Sequence, residues 1–300
     1  MAFSTLIDAT SLRGLAGKPD TVVIDCRFDL NDPEAGRRAF LAGHIPGARY
    51  ADLNRDLSAP VSAGSGRHPL PTPPVFAATL ERLGIGNATQ VIAYDDAGGA
   101  YAARAWWLLR WLGHTSVAVL DGGLKAWSAA GGLDAGGGLE SGPEAPLRTA
   151  PAGGRILPQA NAAAVIDTAE IAAFLSDGAN LLVDARAADR YAGSVEPIDT
   201  VAGHISGAVN HPFSANLAPD GRFLAAPELR RRWEARLAGR QVAHVAAMCG
   251  SGVTACHNLL ALEIAGLSGS RLYAGSWSEW IREPGRPVAR GGDEGSVAKE

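Results

Sequence analysis

The sequence predicts an α/β protein made of two tandem copies of one domain, each a mostly parallel central sheet flanked by helices. Three observations carry this. The chain has 300 residues, long for one ordinary domain and suited to two of about 100 to 150. A set of short motifs recurs in the same order in both halves, which is how a duplicated domain shows itself in sequence. Within each half, short aliphatic runs alternate with helical stretches, the pattern of a parallel sheet covered on both faces.

The first half opens its sheet with Thr21 to Ile24, followed by Gln90 to Tyr94 and Ser116 to Leu120, with a helical stretch from Tyr101 to Leu112. In the second half the strand candidates are Leu181 to Val183, Val242 to Ala247 and Arg271 to Tyr273, with a helix over Thr254 to Ala265. Val22-Val23-Ile24-Asp25-Cys26-Arg27 recurs as Leu181-Leu182-Val183-Asp184-Ala185-Arg186, and Gly43-His44-Ile45-Pro46-Gly47-Ala48 recurs as Gly203-His204-Ile205-Ser206-Gly207-Ala208. The stretch from Leu120 to Trp127 matches Leu272 to Trp280, with the final tryptophans in register. Between the copies, Gly131 to Pro158 is rich in Gly, Pro, Ala and Ser and has no apolar period. The expected organisation is a first domain over 1–134, a linker over 135–160, a second domain over 161–290 and a flexible tail over 291–300.

Composition excludes several classes of function. Hydrophobic residues at 47% and charged residues at 19% describe a globular chain with full cores. A formal net charge of -4 without a long Lys/Arg run lacks the footprint of a nucleic-acid binder. No apolar run is long enough to cross a bilayer. Cys26, Cys249 and Cys256 are widely spaced, with no Cys-x-x-Cys pair, so neither a disulfide framework nor a zinc site is expected, and the cytoplasm is the default compartment. No cofactor or metal is expected.

In open α/β sheets, ligands sit where strands end and loops lead into helices. Cys249-Gly250-Ser251-Gly252-Val253-Thr254 is such a loop. Successive backbone N–H groups there can curl around the sulfur as an anion nest, and the following helix adds positive dipole charge that favours a thiolate. Gly250 and Gly252 are expected to supply unusual dihedrals and close backbone approach. The plain alternative is a buried, inert cysteine, disfavoured by the position and the flanking glycines. A cysteine phosphatase would need an arginine six residues on to clamp phosphate, and Ala255 stands there.

Taken together, the repeated Asp-x-Arg and Gly-His-Ile elements, Gly122-Gly123, Gly275-Ser276-Trp277 and Cys249 to Ala255 resemble the tandem rhodanese family. The resemblance covers the chain from about Asp20 to about Val288. Cys-Gly-Ser-Gly-Val-Thr-Ala is similar to the 3-mercaptopyruvate sulfurtransferase branch. It implies two rhodanese-like domains, the first inactive because Asp95 stands where the second has Cys249. It also implies sulfur transfer through a persulfide on Cys249 with release of pyruvate, thiosulfate being the rival donor. A thiol acceptor such as thioredoxin or a small thiol is the implied partner. A rhodanese-like binding module without chemistry is the alternative from another class.

The resemblance also nominates the surroundings of the sulfur. Arg190 matches an arginine that binds the donor's carboxylate, a task suited to a planar guanidinium. Arg186 is the lesser candidate because its counterpart Arg27 recurs in the inactive copy. Gly250, Gly252, Val253 and Thr254 line the loop. Ser251 and His68 fit a hydroxyl and histidine pair that moves a proton, with Asp52 or Asp56 as acidic partner, since Asn54 holds the expected acidic position. Where the branch often carries a second arginine after Glu-Pro, Glu196-Pro197 is followed here by Ile198-Asp199. His44 and His204 are expected to make structural hydrogen bonds, Cys256 to sit in the core, and Trp106, Trp107 and Trp111 to pack.

Overall fold

The computed structural model describes residues 2–131, 138–146 and 151–292, so most of the anticipated tail, 293–300, and parts of the linker lie outside the described residues. Packing divides the chain into two compact units. Unit 1 comprises Met1–Pro60, Leu70–Ala162 and Leu217–Ala226; unit 2 comprises Val61–Pro69, Ala163–Asn216 and Pro227–Glu300. Two short segments thus fold with the unit whose sequence copy they do not belong to.

In unit 1 the chain runs through β1 (Leu6–Ile7), α1 (Ala9–Arg13), β2 (Thr21–Asp25), α2 (Ala35–Ala42), β3 (Arg49–Tyr50), α3 (Pro73–Arg82), β4 (Gln90–Tyr94), α4 (Ala102–Trp111), β5 (Val117–Leu120) and α5 (Gly123–Ala130). Its five strands pair in the order β1-β5-β4-β2-β3, every pairing parallel.

Unit 2 repeats this path. It runs through β6 (Val165–Ile166), α6 (Thr168–Ser176), β7 (Leu181–Asp184), α7 (Ala188–Ala192), β8 (His204–Ile205), β9 (Val209–Asn210), α8 (Ala226–Leu237), β10 (Val245–Met248), α9 (Ala255–Ile264), β11 (Arg271–Tyr273), α10 (Ser276–Trp280) and β12 (Val288–Ala289). The sheet order is β6-β11-β10-β7-β9, again all parallel. An antiparallel ribbon of β8 with β12 corresponds to the isolated antiparallel bridge between His44 and Glu140 in unit 1.

The central strands are buried along their length: β5, β7 and β10 are buried at every residue, as befits a sheet with helices on both faces. The core of unit 2 gathers Leu182, Ala246, Met248, Tyr273, Trp277 and Trp280, and that of unit 1 gathers Val23, Ile92, Tyr94, Ala118 and Trp127. Trp106, Trp107 and Trp111 are buried on α4, the latter two stacked at 5.9 Å.

The structure differs from the sequence reading at one strand that matters. Val242–His244 is a turn of 3-10 helix rather than strand, and β10 begins at Val245 and continues to Met248. The apolar character of Val242 and Ala243 is helical as readily as extended, which a short run cannot resolve. The later end brings the strand directly against Cys249. The two-residue strands β1, β3, β6 and β9 carry no period and are not visible in the sequence.

Candidate active site

Within the sheet of unit 2, β10 and β7 are neighbours, and the chain leaves them toward opposite edges, β10 to β11 and β7 to β9. Their carboxyl ends therefore frame a topological switch point, the usual place for a ligand in such sheets. Cys249 follows β10 and Arg186 follows β7.

Cys249 is buried and held from both sides of its backbone. Its N–H donates to Ser276 Oγ at 3.1 Å, and its carbonyl accepts from Trp277 N–H at 3.0 Å. Ser276 itself has φ +54°, a left-handed value that strains a residue with a Cβ. Its hydroxyl also donates to Tyr273 O at 2.8 Å. The equivalent residue in unit 1 is Gly123 at φ +55°. Ser276 thus trades backbone strain for a side chain that grips the cysteine backbone, a role that only the Gly-to-Ser difference between the copies could have signalled.

The Ser251 N–H points at Cys249 Sγ at 3.5 Å. Among the described residues, the amides of Gly250, Val253 and Thr254 make no hydrogen bond, and Thr254 caps α9 without a side-chain bond. These donors surround the start of a ten-residue helix and can receive negative charge. The expectation for the two glycines needs division. Gly252 has φ +77°, and a Cβ there would meet Ala274 O at 2.5 Å. Gly250 has no left-handed φ; what it provides is room, since a Cβ there would stand 2.9 Å from Arg67 Nη2 and 3.7 Å from Arg190 Nη1.

His68 lies in unit 2 with the segment Val61–Pro69, and its Nδ1 shares a 2.7 Å hydrogen bond with Ser251 Oγ, both residues being buried. The sequence pair is therefore brought together across 183 positions. In unit 1, Asp52 Oδ1 accepts from the N–H groups of Asn54 and Arg55. Asp56 accepts from Asp52 N–H and pairs with Arg82.

Arg190 faces the loop while tied to two carboxylates, Glu196 at 2.7 Å and Asp199 at 3.1 Å. Burial alone would raise the Glu196 carboxyl; hydrogen bonds from Arg190 and from the N–H groups of Asp199 and Ile198 outweigh it and hold the group below its usual 4.5. Asp199 also pairs with Arg67. Ile198 is partly exposed and brings no cation. Arg186 makes a bidentate pair with Asp184, donates to Gly203 O at 2.7 Å and lies over the Trp277 ring. Arg27 repeats the same bonds with Asp25 and Gly43 O in unit 1, so this arrangement ties the strand end to the Gly-His-Ile turn in both copies. Arg67, Asp199 and Ser276 were not singled out from sequence. Arg67 had one available signal, its place next to His68.

Cys256 is fully buried on α9, with its thiol donating to Gly252 O at 3.3 Å. Cys26 is buried behind β2, where burial and then the charge of Asp25 push its thiol well up. His44 and His204 stack on Phe40 and Tyr191 and share hydrogen bonds with the carbonyls of those same residues. Among the described residues no group of three or more His, Cys, Asp or Glu is arranged to hold a metal ion, and no helix is long and apolar enough to cross a membrane.

The family model of the rhodanese-like domain matches the chain twice, over residues 8–130 and 167–283. The chain is 52% identical over 293 residues to a probable 3-mercaptopyruvate sulfurtransferase of Pseudomonas aeruginosa, covering 97% of this chain and 100% of that one. It is 40% identical to a putative thiosulfate sulfurtransferase of Mycobacterium tuberculosis, covering 95% and 97% of the two chains. Among solved structures, it superposes on a 3-mercaptopyruvate sulfurtransferase of Escherichia coli with a TM-score of 0.76 at 31% identity, over 92% of this chain and 100% of that one.

Proposed function

The chain belongs to the rhodanese family, with two tandem rhodanese-like domains, and we propose that it is a 3-mercaptopyruvate sulfurtransferase working through a persulfide on Cys249. The observation that carries this reading is the arrangement at the end of β10: a buried cysteine with an amide on its sulfur, beside a serine hydrogen-bonded to a buried histidine. The extensive identity to the Pseudomonas relative supports the same donor.

The Cys249 thiolate attacks the sulfur of HS–CH2–CO–COO⁻, forming the S–S bond as the C–S bond breaks. The carbon keeps the electron pair as the enolate of pyruvate and takes up the proton that the donor's thiol gives up, leaving Cys–S–S⁻ and pyruvate. The His68 and Ser251 pair is suited to carry that proton. Arg190 binds the carboxylate, the amides of Gly250, Val253 and Thr254 receive the persulfide's charge, and Gly252 holds the loop open. A thiol RSH then accepts the outer sulfur as RSSH and restores Cys249; cyanide would take it as thiocyanate. Thioredoxin or a small thiol fits as acceptor. The free thiols Cys26, Cys249 and Cys256 fit a reducing cytoplasm.

The second reading is thiosulfate as donor. The Mycobacterium relative supports it, as does the absence of a cation at Ile198. The test is pyruvate release from 3-mercaptopyruvate and mass spectrometry of the donor-treated protein. Wild type gains one sulfur atom, about 32 Da, on the peptide carrying Cys249, and Cys249→Ser gains nothing and releases no pyruvate. Pyruvate formation by the serine variant at the wild-type rate sinks the mechanism. A higher kcat/KM for thiosulfate moves the donor assignment, and no adduct from either donor leaves a binding module.

A further inference from the structure

We infer that a cavity in unit 2, between α8 and the turn after β9, binds a hydroxyl-bearing oxyanion of the phosphate class, either orthophosphate itself or a small sugar phosphate. The cavity holds about 430 Å³ and contains no residue of the Cys249 loop. That volume lies within the range of about 300 to 1,000 Å³ usual for small-molecule sites. Leu229, Trp233 and Leu237 fall on one stripe of α8 and are buried, which turns a neighbouring face of the helix, with Arg231, Arg232, Ala235 and Arg236, toward His211 and Ala215.

Arginine supplies every charge on the cavity wall, and no carboxylate lines it. One turn back, Glu228 is shared by two guanidiniums, Arg231 at 2.8 Å and Arg232 at 2.6 Å. Arg232 Nη1 is anchored on Ala215 O at 2.9 Å. Arg231 Nη1 and Arg232 Nη2 make no hydrogen bond among the described residues. A planar guanidinium with donors to spare suits the oxygens of a phosphate group.

His211 adds a group of the opposite kind. Trp233 Nε1, which can only donate, bonds Asn216 Oδ1 at 3.2 Å, so that oxygen is an acceptor, and His211 Nε2 at 3.0 Å from it must donate as well. Burial pushes the imidazole from 6.5 down to about 4, and the charges of Arg236 and Arg232 act in the same direction against the bond to Asn216. The ring is therefore neutral at pH 7, and Nδ1 is an acceptor, without a hydrogen bond among the described residues. The ring is also fixed in place. It packs on Trp233 at 4.2 Å, its backbone N–H donates to Asp184 O at 2.9 Å, and its carbonyl accepts from Asn258 Nδ2 at 2.9 Å. A neutral acceptor among arginines selects an anion that keeps a hydroxyl: the arginines take its oxygens and Nδ1 takes its proton. Sulfate has the charge and no donor, so it would set its own lone pairs against Nδ1.

The experiment is isothermal titration calorimetry of the full-length protein in low-salt buffer at pH 7 with orthophosphate, ribose 5-phosphate and sulfate. At least one of the two phosphates should bind about tenfold or more tightly than sulfate, the size of one hydrogen bond lost to a facing lone pair, and the tighter of the two identifies the source. Arg232→Gln should weaken that phosphate about tenfold. Ala235→Glu, at an exposed position three and four residues after Arg232 and Arg231, places a carboxylate on the wall and should weaken it at least as much while the melting temperature holds. Arg190→Gln, which alters the Cys249 loop instead, should leave the affinity within about twofold. The inference is overturned if neither phosphate binds saturably, if sulfate binds as tightly as both, or if Arg190→Gln abolishes binding while Ala235→Glu leaves it as in wild type.

Discussion

The loop after β4 and the loop after β10 leave equivalent strands of sheets with the same order, yet one holds its own anion and the other leaves room for one. In unit 1, Asp95 Oδ1 accepts from Ala97 and Gly99 N–H at 2.9 and 2.8 Å, and Oδ2 accepts from Tyr101 and Ala102 N–H at 2.8 and 2.9 Å. The cradle of amides at the start of α4 is filled by the chain's own carboxylate. In unit 2 the equivalent residue is Cys249, whose sulfur takes one amide, and neighbouring amides stay without a partner among the described residues. The comparison teaches that the fold provides a loop of converging amides in both copies, and the residue at the strand end decides whether those amides are filled by the chain's own carboxylate or left with free donors.

Cys249→Asp is the most severe way to break this comparison. It should abolish sulfur transfer and the persulfide adduct outright, while the carboxylate takes up the unpartnered amides and the protein melts at or above the wild-type temperature. Destabilisation by more than about 2 kcal/mol in a denaturant titration would mean the two cradles are not equivalent.

Gly252→Ala is next. The new Cβ must accept φ +77° and escape Ala274 O at 2.5 Å, so the loop shifts by a fraction of an ångström or more. We expect kcat/KM to fall about 100-fold, the order of loss that small misplacements at a reacting centre cause. Activity within a factor of three of wild type would show that the loop's geometry is not what positions the sulfur.

Asp95→Ala sharpens the other side. Removing a buried carboxylate that serves four amides should cost about 3 kcal/mol of unfolding free energy, with kcat for sulfur transfer by the remaining folded protein unchanged. A cost below about 0.5 kcal/mol would deny Asp95 its role as plug.

Much of this was legible in one dimension. The duplication, the parallel sheets and the Cys249 loop follow from repeated motifs and from the strand, glycine and helix order, because these are local patterns in which neighbouring residues speak for each other. The pairing of His68 with Ser251 was anticipated through resemblance. The start of β10 was misplaced because the apolar residues Val242 and Ala243 ahead of it suit a turn as well as a strand.

Other features depended on pairings the sequence does not announce. Arg67 meets Asp199 across 132 positions, and Gly66 meets Glu279 across 213; in sequence, Arg67 is one arginine in a loop of Gly, Ser and Pro. Ser276 became a clamp on Cys249 only when its left-handed backbone brought its hydroxyl to the Cys249 amide. The sequence alone determined the place of Cys249 at the end of a strand, its glycine-flanked loop and the duplication, since each is written in adjacent residues. Tertiary structure decided which charges stand around that cysteine, since long-range packing brings Val61–Pro69 into unit 2 and with it a cation and a histidine.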